Sequence, residues 1–415
     1  SPRRVSVAWR HWTPSGGWTN RIDPATRPNA GAVRLEPRIV EDFASIEARH
    51  WDTLDHGDNP FLSHALLSAL ESSGSVHVGS GWTPQHLALY ENGQLVAFAP
   101  TYLKAHSHGE FVFDWSWADA YQRLGVPYYP KLLTAIPYTP VSGPRLLTHR
   151  DHPEPAALRE QLVQLALDCC VQQQLSSWHC NFVLDADRAA LESQQQLLPR
   201  HDWQFHWHNE DFTDFEDFLA RLRSRKRKNI RRERRQVQEA GVEFRWLRGS
   251  EATSADLDFL YRCYLRTFRT YGNHPALTRS FFETIAPELD ERFVLILAAR
   301  DGQDVAMSLF LAGGDRLYGR YWGCTEEIPG LHFETAYYQG IEYCIRHQIK
   351  IFESGAQGEH KISRGFLPRR TRSYHFLADA RMRGAIAAYL ERERAWMREY
   401  GQELAPHDPY REGAA

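Results

Sequence analysis

The feature that most constrains the fold of this 415-residue chain is an ordered pattern of elements that occurs twice. In each copy, a predicted helix pair precedes two β-prone runs joined by an Asn-Gly or Asp-Gly turn, and an aromatic run follows. Such turns between β-prone runs are strong signals for a β-hairpin. The first hairpin and aromatic strand are predicted at 86–99 and 111–117, and the second at 295–311 and 317–322. This recurrence predicts a duplicated domain.

The repeat divides the chain into two domains with short extensions. We expect the α/β class, with tandem domains in which a mixed sheet is flanked by helices. The predicted segments are a loosely ordered basic N-terminal arm (1–34), a first domain (35–213), a second domain (214–405) and a tail (406–415). The second domain carries a basic helix and a glycine-rich segment.

The composition is that of a soluble globular protein, with 42% hydrophobic and 24% charged residues. The formal net charge of -3 gives no indication of a DNA partner. No run of about 18 uncharged apolar residues occurs, so we expect no transmembrane segment. Six cysteines without a CxxC pair favour reduced thiols in the cytoplasm, and no HxxxH or CxxC spacing supports a metal site.

A dense basic run lies between Arg221 and Arg235, where ten of fifteen residues are Lys or Arg and only Glu233 is acidic. We predict one helix here, on which like charges in neighbouring turns repel each other. Phosphate is the natural partner, because guanidinium groups bind its oxygens in bidentate fashion. The ligand would be a phosphate-bearing small molecule, tRNA or anionic lipid. The alternative is a solvated helix, or one that pairs with acids elsewhere in the fold. Asn229 and Ile230 form an amide and apolar break within the run, so we expect the helix to dock on at least one side, with Asn229 as a candidate contact.

The glycine-rich segment 355–366 follows a predicted buried strand. Because open α/β sheets place ligands beyond the carboxyl ends of their strands, this segment is the predicted catalytic site. Lys361 or Arg364 would stabilise the oxyanion that forms when an amine attacks an acyl carbon. Glu359 or His360 would accept the proton of that amine. The alternative is a polar connecting loop.

Further substrate contacts are predicted at a proline-rich aromatic wall in the first domain and around the start of a helix in the second. Prolines rigidify such a wall, and aromatic rings with polar tips suit a ligand pocket, although aromatic packing alone would give the same pattern. These predicted binding residues are Trp117, Asp119, Tyr128, Tyr129, Lys131, Trp322, His332, Glu334, Tyr338 and, in the glycine-rich segment, Gln357.

Several of these stretches resemble the FemAB-like branch of the GNAT superfamily, in its bacterial subgroup described as peptidoglycan biosynthesis or recognition proteins. The resemblance covers about 36–400, and its most specific stretches are 117–121, 128–132, 331–334, 337–339, 355–361 and 364–366. It implies two GNAT-like domains and transfer of an acyl or aminoacyl group to an amine. In Fem-type enzymes the donor is aminoacyl-tRNA and the acceptor is a cell-wall precursor peptide.

The resemblance also implies roles for single residues. Lys361 is the closest match to a lysine that polarises the acyl carbonyl in that family, with Arg364 as the alternative. Lys228 or Arg231 matches a basic residue that contacts precursor phosphate.

The CoA pyrophosphate loop of typical GNAT acetyltransferases has a poor counterpart here. The corresponding segment, 324–332, holds one glycine and two acids, which disfavours acetyl-CoA. We therefore expect no tightly bound cofactor, and the acyl donor stays open between aminoacyl-tRNA and acyl-CoA. The sequence predicts a cytoplasmic N-acyltransferase that works by direct attack. The alternative is a non-catalytic protein that binds a cell-wall precursor or RNA through 221–235.

Overall fold

The computed structural model describes residues 10–13, 17–20, 35–356 and 358–411. Most of the predicted N-terminal arm and Gln357 lie outside the described residues, and the side chain of Glu359 is not described either. Within the arm, β1 (Arg10–Thr13) pairs with β2 (Gly17–Asn20) in an antiparallel ladder.

The remaining strands alternate with helices along both halves of the chain. The strands of the N-terminal half are β3 (Leu35–Val40), β4 (Trp82–Pro84), β5 (His86–Glu91), β6 (Gln94–Ala99), β7 (Thr101–Lys104), β8 (Lys131–Thr134), β9 (Leu147–Thr148), β10 (Ser177–Cys180) and β11 (Leu198–His208). Those of the C-terminal half are β12 (Val242–Arg248), β13 (Phe293–Arg300), β14 (Gln303–Gly313), β15 (Arg316–Cys324), β16 (Ile351–Ala356) and β17 (Leu367–Leu377).

Helices flank the sheets in both halves. They are α1 (Ala48–Trp51), α2 (His64–Ser72), α3 (Trp115–Arg123), α4 (Pro155–Gln172), α5 (Asp185–Glu192), α6 (Phe215–Arg221), α7 (Ser224–Glu239), α8 (Ser254–Thr270), α9 (Arg279–Leu289), α10 (Leu331–Phe333), α11 (Gln339–Arg346) and α12 (Ala380–Leu404). A π-helical turn, Glu334–Tyr338, joins α10 to α11, and a 3₁₀ helix spans Glu359–Arg364. Among the described residues, no helix is long and apolar enough to cross a membrane.

An eleven-stranded sheet runs through both halves in the order β12-β13-β14-β15-β16-β11-β17-β10-β8-β7-β4. A second sheet has the order β3-β5-β6-β9. The first half contributes to both sheets because Pro100, which has no backbone N–H, separates β6 from β7.

The two halves exchange strands at the centre of the large sheet. β17, from the C-terminal half, pairs antiparallel with β10 and β11 of the N-terminal half. β11 in turn pairs antiparallel with β16. Strands of the two halves therefore alternate in the middle of the large sheet, in the order β16-β11-β17-β10. The predicted domain boundary at 213 lies in the connection between β11 and α6, and it stays a prediction.

Both predicted hairpins are confirmed. Asn92 and Gly93 have φ angles of 50° and 82°, and Asp301 and Gly302 have φ angles of 51° and 76°. Positive φ at both central residues is the type I′ geometry that Asn-Gly and Asp-Gly favour, and its twist matches that of the flanking strands. The predicted second aromatic strand is also confirmed, as β15.

The predicted strand at 111–117 is wrong. The chain is irregular up to Asp114, and α3 begins at Trp115. Trp117 and Tyr121, four residues apart, lie on the buried face of α3. The alternation of aromatic residues imitated the period of a strand.

The predicted basic helix over 221–235 is two helices. α6 ends at Arg221 and α7 begins at Ser224, because the C-terminal tail docks at this junction. The Arg223 amide donates to the Pro409 carbonyl at 2.9 Å, and the Arg411 amide donates to the Arg221 carbonyl at 3.0 Å.

One hydrophobic core spans both halves. Phe61 of the first half packs edge-on against Tyr318 of β15, with ring centroids 5.2 Å apart, and both rings are buried in a core that continues into α8 and α9. The two halves are therefore joined by shared hydrophobic packing.

Candidate active site

A cavity of about 1220 Å³ lies between the two halves. The N-terminal half lines it with the segments 74–80 and 106–115, together with Tyr138 and Pro140. The C-terminal half lines it with residues of α8, the loop 272–276, β14, β15, β16 and the helix that starts at α10. The carboxyl end of β16 reaches this cavity through Ser354 and Gly355.

Two parallel strands, β15 and β16, part at the cavity. Their pairing ends with Tyr318 opposite Glu353, although β15 continues to Cys324 and β16 to Ala356. A bulge lies at the same level, since Phe310 of β14 pairs with Gly319 while its neighbour Leu309 pairs with Tyr321. Where strands part or a bulge interrupts their pairing, some backbone groups lose their partners in the sheet. An N–H group left in this way can donate a hydrogen bond to a carbonyl oxygen.

Two side-chain donors in the cavity wall have no hydrogen-bond partner among the described residues. They are the Ser308 hydroxyl, on a residue only 1% exposed, and the indole N–H of Trp322. Buried polar groups are almost always paired in folded proteins. Both residues line the cavity, while the two donor atoms themselves are buried within its wall.

His332 lines the cavity beside Trp322, with ring centroids 4.5 Å apart. Burial, together with the neighbouring His360, Arg364 and Lys361, lowers the pKa of His332 to about 4. The imidazole is therefore neutral near pH 7 and able to accept a proton.

Lys361 lies behind the cavity wall and is 3% exposed. Its ammonium group donates to the carbonyl oxygens of Ser354 at 3.0 Å and Gly355 at 2.9 Å. Burial lowers the pKa of Lys361 to about 7. The carbonyls of two residues that line the cavity thus position this lysine.

Arg364 does not line the cavity and joins three elements. It donates to the Tyr338 hydroxyl at 3.0 Å, to Glu233 at 2.8 Å and to the His360 carbonyl at 2.9 Å. Its guanidinium carbon lies 3.4 Å from the ring centroid of Phe333. These contacts occupy most of its donors, so it is the weaker of the two predicted oxyanion cations.

His360 is exposed and lies 3.2 Å from the Tyr337 hydroxyl, through its Nε2 atom. Tyr337 itself lines the cavity, so His360 reaches the cavity through this tyrosine. Burial lowers the pKa of His360, and Arg364 and Lys361 lower it further. The predicted roles of Glu359 and Gln357 concern groups outside the described part of the chain.

The helix from α10 to α11 separates the cavity from the basic helix α7. His332, Ala336 and Tyr337 line the cavity. On another face of the same helix, Glu334 pairs with Arg234, and Tyr338 donates its hydroxyl to Glu233. α7 therefore lies about one helix diameter, roughly 10 Å, behind the cavity wall.

The three residues of α7 that the sequence singled out are exposed and do not line the cavity. Lys228 and Asn229 face solvent, and Arg231 pairs with Glu216 at the surface. A basic stripe, defined here as Arg225, Lys228, Arg232 and Arg235, is exposed along one face of α7 and has no acidic partner among the described residues.

Part of the predicted proline-rich aromatic wall, with Trp115, Tyr138 and Pro140, lines the cavity. The predicted binding residues Tyr128 and Lys131 lie instead in a buried polar cluster. Lys131 donates to the Ser107 hydroxyl at 2.8 Å, to Glu110 at 2.8 Å and to Asp114. Tyr128 donates to Asp114 at 2.6 Å. Because Ser107 lines the cavity, the cluster supports the wall from behind.

The other residues predicted for that wall have different positions. Trp117 is buried on α3, and Asp119 lies on the same helix without lining the cavity. The Tyr129 hydroxyl lies 2.8 Å from that of Ser107, so it touches the rear of the wall.

Several cavity residues were not predicted from the sequence. Among them are Ser308, His77 and His106. The closely spaced histidines at 106 and 108, directly after a β-prone run, were an available signal. Ser308 lies within an apolar run and carried none. The described residues contain no group of three His, Cys, Asp or Glu side chains that could hold a metal ion.

The sequence of the chain matches one family model over most of its length. This is the FemAB-like model, described as peptidoglycan biosynthesis/recognition, and the match spans residues 42–412. No curated protein matches the sequence.

Solved structures with a similar fold share little sequence. FemX has a TM-score of 0.50 and 11% identity, and the match covers 82% of this chain and 98% of FemX. The C-terminal domain of a lysylphosphatidylglycerol synthetase from Agrobacterium fabrum, a protein assigned that name provisionally, has a TM-score of 0.50 and 8% identity, with 80% and 92% covered. A tandem GNAT protein from the clavulanic acid pathway has a TM-score of 0.39 and 11% identity, with 83% and 99% covered. The chain thus has a fold similar to those of FemX and the synthetase domain, and its two confirmed hairpins agree with the duplicated α/β domain that the repeat predicts.

Proposed function

Because the chain belongs to the FemAB-like family of peptidoglycan biosynthesis and recognition proteins, we propose that it transfers an acyl or aminoacyl group to an amine of a cell-wall precursor. The family supplies the transferase class. The observation that carries the proposal for this chain is the parting of β15 and β16 inside the cavity, next to the unpaired donors of Ser308 and Trp322.

The reaction proceeds by direct attack in this proposal. The amine nitrogen forms a bond to the acyl carbon, and the bond from that carbon to the donor's oxygen or sulfur breaks. The neutral imidazole of His332 lines the cavity and accepts the proton that the amine loses. His360 is the second candidate proton acceptor, because its contact with the cavity wall is the hydrogen bond with the Tyr337 hydroxyl.

Negative charge develops on the acyl oxygen during attack. The bulge of β14 and the buried donors of Ser308 and Trp322 lie in the wall of the cavity beside which we place this oxygen. Lys361 stands behind Ser354 and Gly355 and adds positive charge at the same wall. Donors and charges held in place before the reaction stabilise such an oxyanion without reorganisation.

The basic stripe of α7 binds the phosphate-bearing part of the substrate in this proposal. Its members follow at intervals of three and four residues, so they share one face of the helix. Four cations without acidic partners among the described residues attract a polyanion, either the phosphates of a precursor or those of an aminoacyl-tRNA. The donor stays open between aminoacyl-tRNA and acyl-CoA, and no tightly bound cofactor is required.

A second candidate is a non-catalytic protein that binds a precursor or RNA through α7 alone. The observation in its favour is that the basic stripe lies behind the cavity wall and not in it. Binding would then fall steeply with salt, because each phosphate contact releases counterions.

A transfer assay separates the two candidates. The protein is incubated with a cell-wall precursor peptide that carries a free amine, once with charged tRNA and once with short acyl-CoAs. A mass gain of one amino-acid residue or one acyl group on the precursor is the expected result with one of the donors. Binding of the precursor without a mass gain with either donor supports the non-catalytic candidate.

A further inference from the structure

Four large apolar side chains are exposed around the edge of the cavity, where its wall meets the protein surface. Val78 and Tyr271 are 76% and 74% exposed, and Phe113 and Trp115 are 48% and 40% exposed. We call these four residues the rim. They lie in or directly beside three segments that line the cavity, namely 74–80, 106–115 and 272–276. Single exposed apolar residues are normal, whereas a group of them in one place marks a contact site.

A ligand inside the cavity does not account for the whole rim. Val78 and Tyr271 do not line the cavity, although their chain neighbours His77, Gly79 and Gly272 do. The two side chains are therefore exposed to water outside the cavity. Apolar side chains gain stability in proportion to the area that is removed from water. A partner that covers the edge of the cavity from outside would provide this burial.

Hydrogen bonds hold the three segments of the rim together. The Thr278 amide donates to the Ser75 hydroxyl at 3.1 Å, which joins the loop after α8 to the first segment. The buried ammonium group of Lys104 donates to the Gly81 carbonyl at 3.3 Å and to the His108 carbonyl at 3.2 Å, which joins the first segment to the second. The rim is therefore one surface that contains residues of both halves.

The second segment turns its acids inward and its aromatic rings outward. The carboxylates of Glu110 and Asp114 are buried, and both pair with the ammonium group of Lys131. The rings of Phe113 and Trp115 are exposed in the same stretch of chain. Buried ion pairs thus hold the segment in an arrangement that presents apolar surface to the outside.

The charges around the rim suit a negatively charged surface. Apart from the buried Glu110 and Asp114, the three segments contain no Asp or Glu. Arg269 is exposed two residues before Tyr271 and has no acidic partner among the described residues. Trp and Tyr side chains prefer the headgroup region of a bilayer, and lipid phosphates attract cations near the membrane surface. Aromatic rings beside a free cation, without exposed acids on these segments, match that environment.

We propose that the rim docks this chain on the surface of a lipid bilayer, with the side chains of Val78, Phe113, Trp115 and Tyr271 in the headgroup region. The contact is peripheral, and the edge of the cavity lies against the membrane. This inference goes beyond the proposed function, because it concerns where the cavity lies and not which group is transferred. A cavity in this position faces ligands that are held at the membrane surface.

Co-sedimentation of the full chain with lipid vesicles tests the docking. The vesicles contain three parts phosphatidylcholine and one part phosphatidylglycerol, without precursor or acyl donor. Wild-type protein should bind at millimolar lipid. Val78→Ser with Tyr271→Ser should weaken binding at least about tenfold, because two apolar side chains no longer enter the bilayer.

The chain offers a control of the same chemistry. Val171 and Tyr389 are 65% and 38% exposed on α4 and α12, and neither lines the cavity. Val171→Ser with Tyr389→Ser should therefore bind vesicles like wild type. Equally weakened binding in both double variants would overturn the proposal, and so would a lack of wild-type binding at millimolar lipid.

Salt separates the rim from the basic stripe of α7, which also attracts anionic vesicles. Ionic attraction by the stripe weakens as salt rises, whereas burial of apolar side chains is not screened. The ratio of wild-type to rim-variant affinity should therefore be the same at about 0.1 M and about 0.3 M NaCl. A ratio that falls to one at the higher salt concentration would overturn the proposal.

Tryptophan fluorescence locates the contact with the bilayer. Vesicles with brominated phosphatidylcholine quench tryptophans that enter the headgroup region. Trp115→Phe keeps an aromatic ring at the rim, so it should still bind vesicles but lose most of the quenching. Trp396→Phe, at an exposed position of α12, should keep the quenching. Unchanged quenching in the Trp115 variant would contradict the proposed orientation.

A second copy of this chain is the other occupant that the experiments distinguish. Analytical ultracentrifugation without lipid would then show a dimer that Val78→Ser with Tyr271→Ser abolishes, and vesicle binding would be absent or equal in that variant and wild type. This result would overturn membrane docking. Because vesicle binding is measured without precursor or donor, its outcome does not depend on whether transfer occurs.

Discussion

His375 of β17 lies 2.6 Å from His179 of β10, measured between their Nδ1 atoms, so that one imidazole donates its N–H to the other. The two residues face each other in the antiparallel ladder between an exchanged strand and its host sheet. Both are 1% exposed. This contact fastens the C-terminal half of the chain into the sheet of the N-terminal half.

The histidine pair should make the protein sensitive to acid. Burial lowers the pKa of His179 to about 3, with Lys131 adding to the effect, and burial holds the pKa of His375 well below its usual range. The unfolded chain therefore binds protons first, and the stability that the neutral pair provides is lost as pH falls below about 6.5. The free energy of unfolding should decrease by up to about 1.4 kcal/mol per pH unit for each histidine.

Urea unfolding at pH 7, 6 and 5 measures this dependence. In His375→Phe the slope between pH 6 and pH 5 should become shallower by about one proton. His50→Gln, at an exposed position, is the control and should leave the slope unchanged. An unaltered slope in His375→Phe would contradict a neutral buried pair.

Removal of Arg364 should destabilise the fold strongly. This buried guanidinium joins Glu233 of α7 to Tyr338 of the π-helical turn. Removal of one partner of a buried ion pair leaves the other charge uncompensated, so Arg364→Met should cost about 3 kcal/mol. Arg231→Met breaks an exposed pair with Glu216 and should cost less than about 1 kcal/mol. Chemical denaturation of both variants tests the difference, and similar costs would show that the Arg364 contacts are not structural.

Two glycines with open space around them should respond oppositely to alanine. Gly93 has φ = +82° in the first hairpin turn, and Gly384 lies within α12; a Cβ at either site meets no atom within 4 Å. Gly93→Ala therefore adds only backbone strain, about 1–2 kcal/mol. Gly384→Ala should stabilise the protein by about 0.5–1 kcal/mol, because alanine favours a helix over glycine. Thermal unfolding of both variants should give shifts of opposite sign, and shifts of equal sign would contradict the assigned turn.

Charge reversal on the basic stripe should weaken binding of phosphate-bearing ligands in a salt-dependent manner. We expect Lys228→Glu with Arg232→Glu to reduce tRNA or precursor affinity mainly at low salt. The slope of log affinity against log salt should become shallower by about one for each phosphate that the variant no longer binds. Arg392→Glu with Arg398→Glu, on exposed positions of α12, is the matched control. Equally weakened binding in both double variants, or a weakening independent of salt, would argue against binding at α7.

The sequence predicted both hairpins of the repeat but missed the strands that join the two halves. The two hairpins have turn residues with a specific backbone requirement, and their positions were correct. β11 and β17 carry many His and Arg residues in place of an apolar run, because their neighbours include buried polar side chains such as His179. Period and hydrophobicity therefore gave no strand signal, and the exchange between halves could not be predicted.

Only part of the candidate site could be predicted, because local sequence does not show which distant residues pair with each other. Trp322 and His332 line the cavity, as their aromatic and helix-start positions suggested, and their roles in binding stay predictions. Tyr128 and Lys131 lie in a buried polar cluster instead, because Glu110 and Asp114 provide partners that local sequence patterns do not reveal. Ser308 could be identified only from the structure, where its hydroxyl is buried without a hydrogen-bond partner among the described residues.

The most direct test of the central claim measures the mass of an amine-bearing cell-wall precursor after incubation with donor and protein. Wild-type protein should add one acyl or aminoacyl group. Lys361→Met should keep the fold, since it removes a buried amine whose pKa burial lowers to about 7, and it should slow transfer at least about 100-fold. Arg392→Glu, at an exposed position of α12 that does not line the cavity, should act like wild type. Equal transfer by a folded Lys361→Met variant would contradict a catalytic centre at this cavity.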